Sequence, residues 1–406
     1  MMAIRRVIVN LAIAFAILIP TASLAVESVK LRVALYPYVP GKHSVFNLLA
    51  QEFQRRNEGL VVEMVEVPAD QDYYDGGLAA LDADVYEIDS ILLSDVLHKL
   101  APLSLSLDGF SPESVEAVTR NGVVYAVPHW MCGNFLFYRK SDTAIRDADT
   151  WEAVTTALAR QNKPLLVDFF GRLTLGEWYM TMLADRKGAM AAEAAILSGD
   201  APDSDVVADL NSILSACPTG MCRSRDLHDR TGYYARAFIR GEAGAYVGYS
   251  ESVHYALQEA IDNCRIGGPC LSANEVAVRR LPKLSGTSFA GGVGWVDGLA
   301  ISNVLSPAVR QAALNFVQFA TSADAYKLVL EPDWMEAPRY LLPARTGLVF
   351  GDNAPFYPDF LSAHAGRKTG TLPGLNRKLQ VIGTTLNCMI PIDRTDTRSA
   401  RSCNTP

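Results

Sequence analysis

Cys132 stands in Val127-Pro128-His129-Trp130-Met131-Cys132-Gly133-Asn134-Phe135, an apolar run with no second cysteine near it. The chain has seven cysteines, and the other six fall into sequence-local pairs: Cys217 with Cys222, Cys264 with Cys270, and Cys388 with Cys403. Each pair closes a short loop of turn residues or brackets the C-terminal tail, as a disulfide of an oxidising compartment does. Spacing does not fix connectivity, but this pairing leaves Cys132 as a lone thiol. A lone thiol is either a small buried hydrophobe or a nucleophile. As a nucleophile it needs a base or a positive field to ionise near neutral pH. His129 is three residues away, yet a near neighbour on an extended segment points elsewhere. The Cys-Gly-x-Cys-Trp pattern of papain-like proteases is absent.

Three carboxylates have the right setting to work with such a thiol. Glu251, in Gly248-Tyr249-Ser250-Glu251-Ser252, sits where a strand turns into a helix. It is either a first-turn acid that complements the helix dipole behind a Ser250 cap or a general base facing a cleft. Asp89 ends Val85-Tyr86-Glu87-Ile88-Asp89 and is either a turn or cap residue or a ligand carboxylate. Asp297 lies inside the apolar stretch Gly294-Trp295-Val296-Asp297-Gly298-Leu299, where a buried carboxylate needs a partner. Tyr36, Tyr38, Tyr73, Tyr74, Trp130, Tyr233, Tyr249 and Trp295 fall at loop or strand ends. Singly each reads as packing; together with the acids they suit a flat, cationic heteroaromatic ligand held by stacking and cation–π contact. No H-E-x-x-H, Cys-x-x-Cys, G-x-S-x-G or Walker A pattern occurs, so neither a metal, a phosphate cofactor nor a serine nucleophile is expected.

The elements that position these residues alternate strand and helix. Strands are expected over Leu31–Leu35, Leu60–Val67 (read as buried on both faces) and Val85–Asp89. Between them come an amphipathic helix over Ser44–Arg56, with Phe46, Leu49 and Phe53 on one face, and a short helix over Tyr73–Leu81. A helix is expected near Ser94–Leu100. The segment from Tyr125 through Cys132 to Tyr138 reads as a crossover between two lobes. A second α/β unit follows, with helices over Trp151–Ala159, Leu175–Asp185, Ser204–Ser215 and Tyr233–Arg240, and strands over Pro164–Phe169 and Gly244–Gly248. Trp295–Ser302 returns extended to the first lobe, and Ser306-Pro307 opens a helix to Ala320. The tail beyond Thr369 is expected to wrap the surface. This pattern predicts a two-lobed α/β fold of the periplasmic solute-binding type (type II) with an interlobe cleft. Lobe 1 takes residues 26–133 and about 290–335; lobe 2 takes 134–289 and about 336–406.

Arg5-Arg6, the apolar run Val7–Ile19 and Ser23-Leu24-Ala25 read as a signal peptide cleaved near Ala25, which places the mature chain in the periplasm or outside the cell. No cysteine follows that cut, so no lipid anchor is expected. The formal charge is −7, and removing Arg5 and Arg6 leaves −7 − 2 = −9. That sign argues against nucleic acid and anionic membranes as partners.

These residues resemble the thiaminase I (thiamine pyridinylase) family, which is built on a periplasmic-binding-protein fold. The resemblance rests on Leu35-Tyr36-Pro37-Tyr38-Val39-Pro40, Asp84–Ser90, Pro128–Cys132 with Asn134-Phe135-Leu136-Phe137, Gly248–Ser252 and Val296-Asp297-Gly298, in this order. It implies a Cys132 thiolate that adds to the pyrimidine of thiamine, loss of the thiazole, and its replacement by an amine, pyridine or thiol. Glu251 matches the acid/base, and Asp89 and Asp297 match carboxylates that hold the substrate. Tyr36, Tyr38, Tyr74 and Tyr233 match pocket tyrosines, with Trp130 and Tyr249 beside them. The resemblance implies no cofactor and a monomer. The pair His129-Trp130 is bulkier than the family pattern, and either residue is expected to reshape the pocket or to alter which nucleophile is accepted. The alternatives are a non-catalytic binding protein for thiamine or a related pyrimidine, and a cysteine hydrolase on the same scaffold.

Overall fold

The computed structural model describes residues 28–264, 270–287, 292–331, 336–367, 370 and 372–390. The expected leader, residues 1–25, and Cys403 lie outside the described residues. Among the described residues, nine strands form one continuous sheet. In chain order these are β1 (Val29–Ala34), β2 (Leu60–Met64), β3 (Val85–Asp89), β4 (Ala126–Arg139), β5 (Leu165–Leu166), β6 (Ala245–Tyr249), β7 (Val276–Arg280), β8 (Gly294–Ile301) and β9 (Leu342–Pro343). The path runs β2-β1-β3-β8-β4-β6-β5, with β7 and β9 also paired to β4.

The fourteen-residue β4 organises the molecule. Its first half pairs antiparallel with β8, which pairs antiparallel with β3, while β1 joins β3 and β2 in parallel. Its second half pairs with β6 and β7, and β5 lies parallel to β6. One strand thus runs from the first half-sheet into the second, and Cys132 to Asn134 sit at the join. This is the expected two-lobed α/β architecture with Tyr125–Tyr138 as its crossover. The join is a natural place for a ligand, because strand ends of both half-sheets meet there.

Helices pack on the sheet where the sequence periodicity puts apolar stripes. Helix α1 (Lys42–Arg56) buries Val45, Phe46, Leu49, Ala50 and Phe53. Helix α2 (Ser90–Val96) begins earlier than expected, because Asp89 caps it by accepting the amide of Ile91. Lobe 2 carries α3 (Arg172–Lys187), α4 (Tyr233–Ile239) and α5 (Ser252–Asp262); α6 (Pro307–Ala320) and α7 (Ala323–Leu330) return to lobe 1. Ser306 caps α6 and proline opens it, as the sequence predicts. Helix α8 (Tyr357–His364) and α9 (Leu375–Met389) complete the described chain.

Three further expectations change. Strand β2 is an edge strand rather than doubly buried, and only Val62 of it is buried. The segment Tyr73–Gly77 is a wide turn broken at Gly76, whose φ of 90° ends any helix there; only Leu78–Ala80 follows as a helical turn. The tail does not simply wrap the surface: α9 buries Leu375, Leu379, Ile382 and Leu386 against α3. Gly176 and Gly383 make that approach possible, since a Cβ at either would strike the backbone of the other helix. Cys217–Cys222 and Cys264–Cys270 are disulfides, and Cys388 is also disulfide-bonded. No helix among the described residues is long and apolar enough to cross a membrane.

Candidate active site

The site is built on three neighbouring strands. Asp89 at the end of β3 lies directly opposite Asp297 on β8, and Asp297 lies opposite Trp130 on β4. The register slips between Asp297 and Gly298, so that β4 accommodates one extra residue, His129, as a bulge. Such a bulge re-aims the side chains around it. Two residues beyond Trp130, the Cys132 sulfur donates a hydrogen bond to Oδ2 of Asp297 at 3.3 Å. Cys132 is half-buried and is the free thiol among the described residues.

A tyrosine cluster closes one side. The Tyr74 hydroxyl donates to Asp89 Oδ2 at 2.7 Å, and the Tyr36 and Tyr74 hydroxyls lie 2.5 Å apart. Since the one proton of Tyr74 goes to Asp89, Tyr36 donates to Tyr74. The Tyr38 ring stacks parallel to that of Tyr74 with centroids 6.1 Å apart, and it is half exposed. Helix α9 reaches across to this cluster: the Asn376 side-chain amide donates to the Tyr74 carbonyl at 2.7 Å. The tail therefore holds a site residue in place.

Glu251 follows β6 and accepts a hydrogen bond from the Ser250 hydroxyl at 3.2 Å. It occupies the N-cap position of α5, yet its side chain caps nothing. Tyr249, just before it, donates to Glu177 Oε2 on α3 at 2.6 Å. Glu177 was not singled out in the sequence. A glutamate among Leu175, Gly176, Trp178, Tyr179 and Met180, all buried, is the signal that could have found it.

These carboxyls share one electrostatic condition. Burial raises Asp89 and Asp297 together, and each makes the other harder to ionise, so the pair retains a proton well above the usual carboxylate range. Burial pushes Glu251 up to about 7 and Glu177 up to about 8. The Cys132 thiol is raised as well, first by burial and then by Asp297, Glu251 and Asp89. Four acids and a thiol are thus held toward their neutral forms, in every case first by burial.

Two predicted residues lie elsewhere. Trp130 is 1 % exposed and packs edge-on against Tyr326 of α7, with the His129 ring 4.0 Å away. His129 is equally buried, with Nδ1 on Glu87 Oε1. Their bulk fills the lobe 1 core instead of reshaping the pocket, because the bulge turns both inward. Tyr233 lines a separate pocket in lobe 2 of about 200 Å³, and Tyr249 stands in its wall, so the two sites adjoin. Tyr36, Tyr38, Tyr74, Asp89, Cys132 and Asp297 are brought together by contact; Glu251 joins them through its effect on the thiol, and Tyr249 through the effect of the thiol on it.

Comparison with known proteins agrees with this picture. The chain is 27% identical over 339 residues to Thiaminase-1 of Paenibacillus thiaminolyticus, covering 79% of this chain and 77% of that protein. The structure of Clostridium botulinum thiaminase I in complex with thiamin superposes with a TM-score of 0.69 at 19% identity, covering 87% of this chain and 99% of that one. Maltose-bound T. maritima MalE3 gives a TM-score of 0.65 at 18% identity, over 89% and 93% of the two chains. The resemblance to thiaminase I read from the motifs is borne out. Residues 48–353 match the model of the bacterial extracellular solute-binding protein family, and the chain belongs to that family.

Proposed function

We propose that this protein is an exported thiamine-degrading transferase in which Cys132 is the nucleophile and Glu251 the general acid/base. One observation carries the reading: the lone thiol is hydrogen-bonded to Asp297 within a group of carboxyls whose ionisation is suppressed. A carrier for a cation has use for the carboxyls but not for the thiol. The likeness to Thiaminase-1 and to a thiaminase I that binds thiamin supports the same substrate.

On this reading the thiazolium cation sits among Asp89, Asp297 and Glu251, and the Tyr36, Tyr38 and Tyr74 rings flank the aminopyrimidine. The Cys132 thiol passes its proton to Glu251, and its sulfur bonds to a ring carbon of the pyrimidine as the π pair of a ring C=N bond moves onto nitrogen. The bond from the bridging methylene to the thiazolium nitrogen then breaks, and that electron pair leaves with the neutral thiazole. The lone pair of an amine next forms a bond to the same methylene carbon, and the sulfur–pyrimidine bond breaks with its electron pair returning to sulfur; Glu251 gives the proton it holds back to that thiolate, and its freed carboxylate then takes the amine proton. Glu251, poised at about 7, can both accept and return a proton near neutral pH. Trp130 serves packing. The leader cleaved near Ala25, the two-lobe boundaries given above and a monomeric state belong to the same proposal.

Mass spectrometry of the mature protein incubated with thiamine, with and without aniline, tests it. A pyrimidine–aniline adduct plus free thiazole is expected, and Cys132→Ser should lower turnover by at least roughly a thousandfold. Intact thiamine retained by the protein would overturn the reading in favour of a carrier. Release of pyrimidine to water at a rate indifferent to aniline would make it a hydrolase.

A further inference from the structure

The lobe 2 pocket presents cationic groups, His228 and Arg230, where the thiol site presents acids. It encloses about 200 Å³, less than a drug-sized ligand requires and suited to one aromatic ring with a substituent. Asn134 and Tyr249, which face each other across β4 and β6, form the wall shared with the thiol site. Tyr233 supplies an aromatic surface. Asp168, beyond the end of β5, holds His228 through Nδ1 at 2.7 Å, and the two are 29% and 31% exposed. Asp168 keeps His228 protonated to higher pH than a free histidine. Among the described residues Nε2 of His228 has no hydrogen-bond partner and Arg230, also in the lining, pairs with no carboxylate.

The Asp168 charge is used by His228, which leaves Arg230 as the uncompensated charge of the rim. Cationic donors of this kind select a carboxylate. A cation would instead be drawn to the acids around Cys132. The two pockets therefore divide two ligands by sign, with Tyr249 between them.

We propose that this pocket receives the second substrate of the transfer, and that His228 and Arg230 select a single-ring aromatic amine or pyridine bearing a carboxylate. The inference rests on the transferase reading above. It places the carboxylate at His228 and Arg230, with the nucleophilic nitrogen directed past Tyr249 toward the methylene carbon of the pyrimidine whose ring Cys132 holds. The bonds made and broken are those already written; only the identity of the incoming amine is added.

The test compares 3-aminobenzoate with aniline as nucleophile at saturating thiamine, in the wild type, His228→Gln and Arg230→Gln. Intrinsic reactivity cancels when the ratio of the two kcat/KM values is compared between proteins. The wild type should prefer 3-aminobenzoate, and each variant should lose at least about tenfold of that preference, the worth of one charge-assisted hydrogen bond. Arg230 is exposed, so its variant folds even if the His228 variant does not. An unchanged ratio in both variants, or an equal loss for both nucleophiles, overturns the proposal. If the wild type cleaves no thiamine with any nucleophile, the transferase reading fails by itself. A fluorescence titration with 3-aminobenzoate alone then decides the pocket: saturable binding lost in Arg230→Gln upholds the site, and no binding to the wild type removes it.

Discussion

Asp297→Asn removes the carboxylate nearest the Cys132 sulfur while keeping a side chain of the same shape. A negative charge beside a thiol opposes its ionisation, so the substitution should make Cys132 easier to ionise. Two unit charges at the observed 3.3 Å interact by about 5 kcal/mol at an effective dielectric of about 20, which bounds the effect from above. The carboxyl is itself held toward its protonated form by burial and by Asp89, so only part of that charge is present near neutral pH. A gain of roughly tenfold in thiolate population, or about 1.4 kcal/mol, is the expected remainder. The assay is alkylation of Cys132 by iodoacetamide as a function of pH, followed by mass spectrometry of its peptide. The midpoint of the rate–pH curve reads ionisation and is insensitive to access. Wild-type Cys132 should titrate above an ordinary exposed thiol, and the Asn variant should titrate below the wild type. A wild-type midpoint at or under that of free cysteine, or a variant midpoint that fails to fall, would refute the electrostatic argument. Turnover of thiamine by the variant should nonetheless drop, because the same carboxylate is assigned to the cationic substrate.

Other expectations follow from the same geometry. As a base Glu251 works deprotonated, so kcat/KM for thiamine should rise with pH through about 7, and Glu251→Gln should abolish that limb; a wild-type profile flat from pH 6 to 8 would exclude the assignment. Glu177 is raised from its ordinary value to about 8, so the folded state binds a proton that the unfolded chain releases between those two values. Its contribution to stability is present at low pH and lost as pH rises toward 8, and Glu177→Gln should recover a few degrees of Tm at pH 8.5 but little at pH 4. Trp130→Ala should cost about 3–5 kcal/mol in unfolding measurements while KM for thiamine in the folded fraction stays near wild type; a large rise in KM would return Trp130 to the pocket.

The sequence shows strands and helices where periodicity and end signals coincide. Phe46, Leu49 and Phe53 mark α1, and Ser306-Pro307 marks the start of α6, because local patterning suffices for both. Asp89, Cys132, Asp297 and Glu251 are legible because a polar group in an apolar stretch needs a reason. The misplacement of Trp130 has a definite cause: a bulge changes which face a residue takes, and nothing in the local pattern records the slip between Asp297 and Gly298. Helix α9 was hidden for a different reason. Its burial depends on Gly176 and Gly383, two hundred residues apart in sequence and meaningful only once the helices are seen to touch. The His228–Asp168 pair is likewise a tertiary fact, made by a loop after β5 and a segment sixty residues later.

The same desolvation that keeps the carboxyls protonated also defines what can switch the thiol on. Burial holds Asp89 and Glu251 toward their neutral forms, and both oppose the ionisation of Asp297 and Cys132, so the thiol is held toward its protonated form. A cation placed among them stabilises every ionised form at once, the thiolate included. By linkage, the proton released by the acids on binding and the affinity for the cation are one free energy seen from two sides. An uncharged pyrimidine of the same shape makes the same ring contacts without that effect, and would leave the thiol as it was. On this reading the substrate's own charge arms the nucleophile. A solute-binding fold then needs only one thiol at the join of its half-sheets to turn recognition of a cation into attack on it.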